Sequence, residues 1–142
     1  MTTTTPLLLI TADPSHPLAH LALRYARAYL QSLSNREDTN KEGTDNKKLN
    51  VFFYGDAANT ANCLRWQPAD QSDVTKKWQT LAEQYQLALP VCVSTALSRG
   101  ISDDDNSARH QLEGNNLATG FTLVGLSELA MMMQDDSHLI QF

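Results

Sequence analysis

The residue with the clearest chemical potential in this sequence is Cys92. It lies near the end of the apolar run 89–93, and the hydroxyl residues Ser94 and Thr95 follow, a pattern typical of a strand that passes directly into a helical turn. A thiol in that position faces free backbone N–H groups and the positive end of a helix dipole, which favour the thiolate. The sequence therefore predicts a nucleophilic cysteine that could also hold a persulfide anion. An inert cysteine buried in an apolar strand is the open alternative.

The other residues that could do chemistry give weaker signals. Cys63 lies in a helical apolar run and is interpreted as structural. His16 and His20 have the spacing of a metal-binding pair, but no third ligand is near, so they are interpreted as surface histidines at a helix start. The run Asp103–Asp105 lacks the alternating spacing and the glycine of a calcium loop and is predicted to cap a helix.

Motifs for common cofactors are missing from the sequence. There is no Gly-x-Gly-x-x-Gly, and the glycines Gly120 and Gly125 are followed by Leu126-Ser127 where a phosphate loop has Lys-Ser/Thr. The turn 11–17 contains two prolines and no glycine, unlike the phosphate-binding turn of a flavodoxin. We therefore expect no NAD, ATP or flavin, and no metal.

Composition narrows the remaining function classes. The chain has 142 residues, of which 42% are hydrophobic and 19% charged, as in an ordinary single folded domain. Sixteen acidic against eleven basic residues give a net charge of -5, which disfavours direct binding to nucleic acid. The first apolar run, Leu7–Ile10, is too short for a membrane span or a secretory signal, and two cysteines do not form a disulfide scaffold. We expect a cytoplasmic protein with reduced thiols.

Apolar periodicity and punctuating residues predict alternating strands and helices. The predicted elements are a strand at 7–11, a helix at 17–33 capped by Ser15 or His16, a strand at 49–54, a short helix at 57–64, a helix after the capping residues 70–73, a strand at 89–93, a helical turn closed by Gly100, a helix at 122–133 capped by Thr122, and a strand near 139–142. The segment Ser34–Lys48 has no apolar residue and is predicted to be a mobile surface insertion in a single domain spanning 1–142.

The alternation predicts an α/β fold, a three-layer α/β/α arrangement with a mostly parallel sheet of four to five strands. Chemistry in such sheets gathers at the carboxyl ends of strands. The segments Ala12–His16, Gly55–Asp56 and Cys92–Ser94 are expected at that edge.

The last predicted helix is apolar on more than one face. Its inner stripe is predicted to be Leu123, Leu126, Ala130 and Met133, while Leu129, Met131 and Met132 extend the apolar surface. Such a helix is expected to be buried by the core and by a partner protein, with extra core burial as the alternative.

The ten residues from Val91 to Gly100, VCVSTALSRG, resemble the active-site segment of the DsrE-like sulfur-relay family. Further matches follow the family's order and spacing, and the likeness covers nearly the whole chain apart from 34–48. They comprise Val51–Tyr54, Ala61-Asn62, Trp78–Leu81, Asn116-Leu117, Gly120–Leu123, Gly125-Leu126, Leu129-Ala130 and Gln141-Phe142.

The resemblance implies a sulfur carrier. Cys92 would take a sulfane sulfur from a donor protein's persulfide and hand it to an acceptor protein, in a relay ending in 2-thiolation of the tRNA wobble uridine. The implied partners are TusB-like and TusC-like small subunits in a dimer of heterotrimers, a TusA-like donor and a TusE-like acceptor. No metal, organic cofactor, direct nucleic-acid contact or membrane is implied.

Two departures from the family pattern, and several alternatives, accompany this expectation. Ser98-Arg99 replaces a basic pair found in many relatives, which weakens any electrostatic steering, and Cys63 has no counterpart. A carrier for sulfur oxidation and a non-catalytic binding subunit of the same fold are the main alternatives. A cysteine hydrolase or thiol redox protein would need a histidine at the strand edge, and His16 is the candidate.

Overall fold

The computed structural model describes residues 4–36, 49–134 and 136–142. The elements in these ranges are, in chain order, β1 (Thr5–Ile10), α1 (Pro17–Arg36), β2 (Asn50–Phe53), a 3-10 helix (Gly55–Ala61), α2 (Val74–Tyr85), β3 (Leu89–Cys92), α3 (Val93–Leu97), α4 (Asp104–His110), β4 (Phe121–Val124), α5 (Leu126–Met132) and β5 (Ser137–Gln141).

The strands form one five-stranded sheet in the order β4-β3-β2-β1-β5. Every pair of neighbouring strands is parallel. Parallel neighbours cannot be joined by tight hairpins, so each connection crosses over a face of the sheet. The predicted α/β fold class and parallel sheet are confirmed, with five strands.

The two faces of the sheet are covered unequally. Successive side chains of a strand point to opposite faces. One face contributes Phe53 and side chains of the adjacent strands to the main core, on which α1 and α2 pack. In this core Trp78 meets the Phe53 ring edge-on, with 5.4 Å between the ring centroids. The opposite face, which we call the Cys92 face, carries a small cluster of Leu7, Phe52 and Cys92. Among the helices of the described ranges, α5 is the one that packs on this cluster, and no residue of α5 is fully buried.

The predicted helix starts agree with the capping residues observed. The Nδ1 atom of His16 accepts a hydrogen bond from the backbone N–H of Leu18 at 3.0 Å, and Pro17 is the first residue of α1. Asp73 accepts from the N–H of Lys76 before α2, and Asp103 accepts from the N–H of Asn106 before α4. These bonds satisfy backbone donors that the helices themselves leave free.

The prediction of a helix over 122–133 is wrong in its first part. Residues Phe121–Val124 form β4, which pairs with β3, and the helix begins only at Leu126. The run Phe-Thr-Leu-Val has the aromatic and β-branched residues of a strand, and the edge of β3 supplies its hydrogen-bond partners. Thr122 is therefore a strand residue and not a helix cap.

The predicted inner stripe of that helix is wrong for the same reason. Leu126 and Met133 are 48% and 47% exposed. The side chains that pack on the Cys92 face are Leu129 and Met132. Because β4 ends at Val124 and the helix begins at Leu126, the sheet meets the helical face of Leu129 and Met132, which are three positions apart, and not the face of Leu126 and Met133.

Of the predicted insertion at 34–48, the structure describes residues 34–36. The first helix continues to Arg36, so the first three residues of the segment are helical. Residues 37–48 lie outside the described residues. No helix in the described ranges is both long and apolar enough to cross a membrane.

Candidate functional site

Cys92 is the last residue of β3 and the N-cap of α3. β3 lies between β2 and β4, and the Cα of Cys92 pairs with that of Val124. The backbone passes from strand to helix without an intervening loop, because Val93 is already the first residue of α3. The thiol is thus fixed at the carboxyl edge of the sheet by two elements of regular structure.

Hydrogen-bond donors surround the Cys92 sulfur. Burial of the thiol raises its pKa, but hydrogen bonds from Thr95 and Ser94, including their backbone N–H groups, act in the opposite sense, and the net pKa lies below the usual thiol value. The Ser94 Oγ lies 3.6 Å from the Cys92 Sγ. The hydroxyl of Thr95 also donates to the Cys92 carbonyl at 3.2 Å. This arrangement favours the thiolate more than the surroundings of an ordinary thiol would.

The thiol is nevertheless covered. Cys92 is only 1% exposed, so its sulfur is not openly accessible at the sheet edge in the isolated chain. Its cluster with Leu7 and Phe52 is closed by partly buried residues, among them Leu129 and Met132 of α5. Part of the cover over this cluster is thus α5, a seven-residue helix that itself has no fully buried residue.

Arg99 is bound within the chain. Its Nη2 lies 2.9 Å from the Asp56 Oδ1, and its Nη1 donates to the Thr95 carbonyl at 3.1 Å. Asp56 belongs to the 3-10 helix that follows β2, so the ion pair links that helix to the exit of α3. A guanidinium paired with a carboxylate presents little net positive charge to a partner protein. The ion pair therefore weakens the electrostatic attraction of an acidic partner further than the sequence Ser98-Arg99 alone predicts.

The carboxyl edge brings together two of the predicted segments through Asp13. Its Oδ1 accepts from the Nδ2 of Asn59, which joins the end of β1 to the 3-10 helix. Burial raises the Asp13 pKa, but bonds from the side chain and backbone of Ser15 and from Asn59, together with the charge of Arg65, hold it below the usual value. The predicted clustering of strand ends at this edge is confirmed.

The sequence pattern assigns no structural role to two polar residues at this edge, Asn116 and Asn59. Asn116 donates from Nδ2 to the Gly100 carbonyl at 3.0 Å and to the Asn62 Oδ1 at 3.1 Å. Asn59 bonds Asp13 across the strand ends. Asn116 belongs to a sequence match with the family, yet only its contacts show what the side chain does.

The other residues that the sequence singled out, Cys63 and His16, make local contacts that give them a structural role. Cys63 is an exposed free cysteine just after the 3-10 helix, and its backbone N–H donates to the Asn116 carbonyl at 2.8 Å. The imidazole of His16 is a helix cap. Across 4–36, 49–134 and 136–142, no three His, Cys, Asp or Glu side chains are grouped as metal ligands would be.

Comparison with known proteins identifies the chain's family. The model of the DsrE/DsrF-like family matches residues 7–142. The chain belongs to the DsrE/DsrF-like family. Its fold agrees with the crystal structure of the ychN protein from E. coli, with a TM-score of 0.69 at 20% identity over 99% of this chain and 100% of that one.

Among members of the family, the chain is similar to proteins named TusD. Sulfurtransferase TusD of Pectobacterium carotovorum is 44% identical over 92 residues, which cover 65% of this chain and 71% of the relative. Sulfurtransferase TusD of Pectobacterium atrosepticum is 39% identical over 124 residues, which cover 87% of each chain. The resemblance in the Cys92 segment therefore extends over most of the sequence.

The site in this DsrE/DsrF-like chain can support exchange at sulfur. Such exchange needs a thiolate that attacks a sulfur atom and a thiolate that leaves, with no base required beyond the groups that stabilise the anion. The donors around Cys92 stabilise the same anion whether its thiolate attacks or leaves. A hydrolase would instead need a histidine beside the thiol, and His16 is engaged at the start of α1.

Proposed function

We propose that this protein is a sulfurtransferase that carries sulfane sulfur as a persulfide on Cys92. The relatives named sulfurtransferase TusD support the activity class. The single observation that carries the assignment to Cys92 is the set of backbone and hydroxyl donors around its sulfur. The relay to which it belongs ends in 2-thiolation of the tRNA wobble uridine, and the protein works as a single domain in the cytoplasm, where thiols stay reduced.

Two exchange steps complete one transfer. The Cys92 thiolate attacks the outer sulfur of a donor protein's persulfide, a new S–S bond forms, and the donor cysteine leaves as a thiolate. An acceptor thiolate then attacks the outer sulfur on Cys92, which leaves as a thiolate and is regenerated. No net oxidant or reductant is consumed. The proposed donor is TusA-like and the acceptor TusE-like.

The cover over Cys92 must open for either step, and partner subunits supply a reason for it to do so. On or beside the Cys92 face, the exposed apolar side chains are Leu126, Met131, Met133 and Leu139. Met131 is 67% exposed, far more than a helix facing only its own core requires. We propose that TusB-like and TusC-like subunits bind this surface in a dimer of heterotrimers and displace α5 from the thiol.

The test is the intact mass of the protein after incubation with a persulfide donor. The wild-type chain and Cys63→Ser are expected to gain one sulfur atom that a reducing agent removes, whereas Cys92→Ser gains none. Cys63→Ser is the matched control because it removes the other free thiol of the chain. The assay is repeated with the partner subunits present, where a faster gain is expected.

A non-catalytic binding subunit is the second candidate, and the 1% exposure of Cys92 is the observation that favours it. In that case wild type would gain no sulfur even with donor and partner subunits present. The same result would end the proposal of a sulfur carrier. Gain on both wild type and Cys92→Ser would move the carrier role to another residue.

A further inference from the structure

All the hydrogen-bonding groups of Asn116 are engaged at two chain segments. Its backbone N–H donates to the Ser102 carbonyl at 3.1 Å, and its own carbonyl accepts from the N–H of Cys63 at 2.8 Å. Its Oδ1 accepts from the N–H of Ser102 at 3.0 Å. Its Nδ2 donates both to the Gly100 carbonyl and to the Asn62 Oδ1. Asn116 thus joins the exit of α3 to the end of the 3-10 helix.

The exit of α3 is fixed through these bonds. Gly100 has a φ of 79°, and the N–H of Ile101 returns to the Ala96 carbonyl at 2.9 Å, which closes the helix. Ile101 is fully buried. Because α3 has only five residues, the placement of its exit also determines where its first N–H groups lie. Those N–H groups are the ones that face the Cys92 sulfur.

A second link between the same two elements is weaker. The Asp56–Arg99 ion pair joins the 3-10 helix to α3, but its carboxylate side chain is 65% exposed. Exposed ion pairs contribute little and are screened by salt. The Asn116 side chain makes three bonds, two of them in half-buried surroundings, and removing it would leave partners such as the Ser102 N–H without a bond.

We propose that Asn116 is a positioning residue that holds α3 against the 3-10 helix and thereby fixes the donors around the Cys92 sulfur. The inference deepens the proposed function and rests on it only in taking Cys92 as the reacting sulfur. Asn116 makes no contact with that sulfur among the hydrogen bonds described, so it acts through α3.

The test follows the ultraviolet absorbance of the Cys92 thiolate against pH in a Cys63→Ser background, where Cys92 is the only thiol. Asn116→Ala is expected to move the midpoint upward and to leave at least about threefold less thiolate at a pH below the wild-type midpoint. Asn106→Ala is the matched control. It removes an asparagine side chain that bonds Asp103 at the start of α4, and it is expected to leave the midpoint unchanged.

Asp56→Asn separates the two links. It removes the carboxylate charge of the ion pair and is expected to shift the midpoint less than Asn116→Ala does. An Asp56→Asn shift as large as that of Asn116→Ala would overturn the assignment, as would a wild-type midpoint in folded Asn116→Ala. If Asn116→Ala does not fold, Asn62→Ala removes one acceptor of the Asn116 amide, and a wild-type midpoint in that variant overturns the proposal.

The titration needs no sulfur donor, so its result tests the role of Asn116 separately from the proposed function. An unchanged midpoint together with normal sulfur transfer would overturn only the role of Asn116. A shifted midpoint in a protein that never gains sulfur would overturn only the carrier function.

Discussion

At the scale of the residue, the chemistry of Cys92 results from a competition between burial and hydrogen bonding. Burial disfavours the thiolate, yet hydrogen bonds from Ser94 and Thr95 outweigh it and lower the pKa. The same donors remain in place when Cys92 is the leaving group, because the anion forms at the same atom. A leaving thiol of lower pKa departs faster, so one local arrangement assists both halves of the transfer.

Ser94→Ala is predicted to raise the Cys92 pKa, because it removes the hydroxyl nearest to the sulfur. In a Cys63→Ser background, alkylation below the wild-type midpoint is expected to slow by about tenfold, since a bond to a charged group contributes about 1.5 kcal/mol. The control is Ser98→Ala, whose hydroxyl donates to the Thr95 carbonyl and not to the thiol. Alkylation of Ser94→Ala with the wild-type pH profile would contradict the prediction.

The same substitution has a consequence for stability. The folded-state pKa of Cys92 is lowered, so the thiolate stabilises the folded chain above the unfolded thiol pKa, and this contribution is lost as pH falls through the folded-state value. The difference in unfolding free energy between wild type and Ser94→Ala should therefore be largest at alkaline pH and shrink on acidification.

At the scale of the element, α5 lies on the same face of the sheet as Cys92, and we expect it to limit access to the thiol. It contributes Leu129 and Met132 to the Cys92 face, but a cavity of about 390 Å³ extends from this helix to the starts of β1 and β2, with Thr5, Asn50 and Met132 in its lining. A helix that buries none of its residues and borders a cavity opens at lower free energy than α1 or α2. The cover can therefore move while the main core stays folded.

Met132→Ala is predicted to speed alkylation of Cys92 several-fold by loosening this cover. The rate should rise at all pH values while its midpoint stays unchanged, because the substitution changes access and not ionisation. Met131→Ala is the matched control on the same helix, since Met131 is 67% exposed. Equal protection of Cys92 in Met132→Ala and wild type would show that α5 does not limit access.

At the scale of the whole molecule, the two faces of the sheet differ in how completely the chain covers them. The main core lies between the sheet and the helices α1 and α2, whereas in the part of the chain that the structure describes the Cys92 face is covered by one short helix, α5, with exposed Leu126 and Met131. An apolar surface beside the reactive residue is the expected form of a surface that binds partner proteins.

Leu126→Asp is predicted to prevent assembly with the proposed TusB-like and TusC-like subunits while leaving the fold intact. Leu21→Asp on α1 is the matched control, because Leu21 is 47% exposed and Leu126 is 48% exposed, on elements packed against opposite faces of the sheet. Co-expression followed by light scattering measures the assembly, and thermal unfolding checks the fold. Loss of assembly in both variants, or in neither, would contradict this placement of the interface.

The sequence by itself determined the strand β3, the helical turn after it and the place of Cys92 between them, because these depend on neighbouring residues. Apolar runs, capping residues such as Asp73 and the order Cys92-Ser94-Thr95 act over a few positions, and each agrees with the structure. Their local physics is the same in any surroundings.

Only the tertiary structure decided what surrounds that cysteine. The run at 121–124 satisfies patterns for either helix or strand, and pairing with β3 selects the strand. Asp56 and Arg99 meet across 43 positions of sequence, and Asn62 and Asn116 across 54. The burial of Cys92 depends likewise on Leu7, Phe52 and α5, which reach it only when the sheet has formed. No pattern of neighbouring residues encodes such contacts, because they arise when distant segments compete to fill the same space.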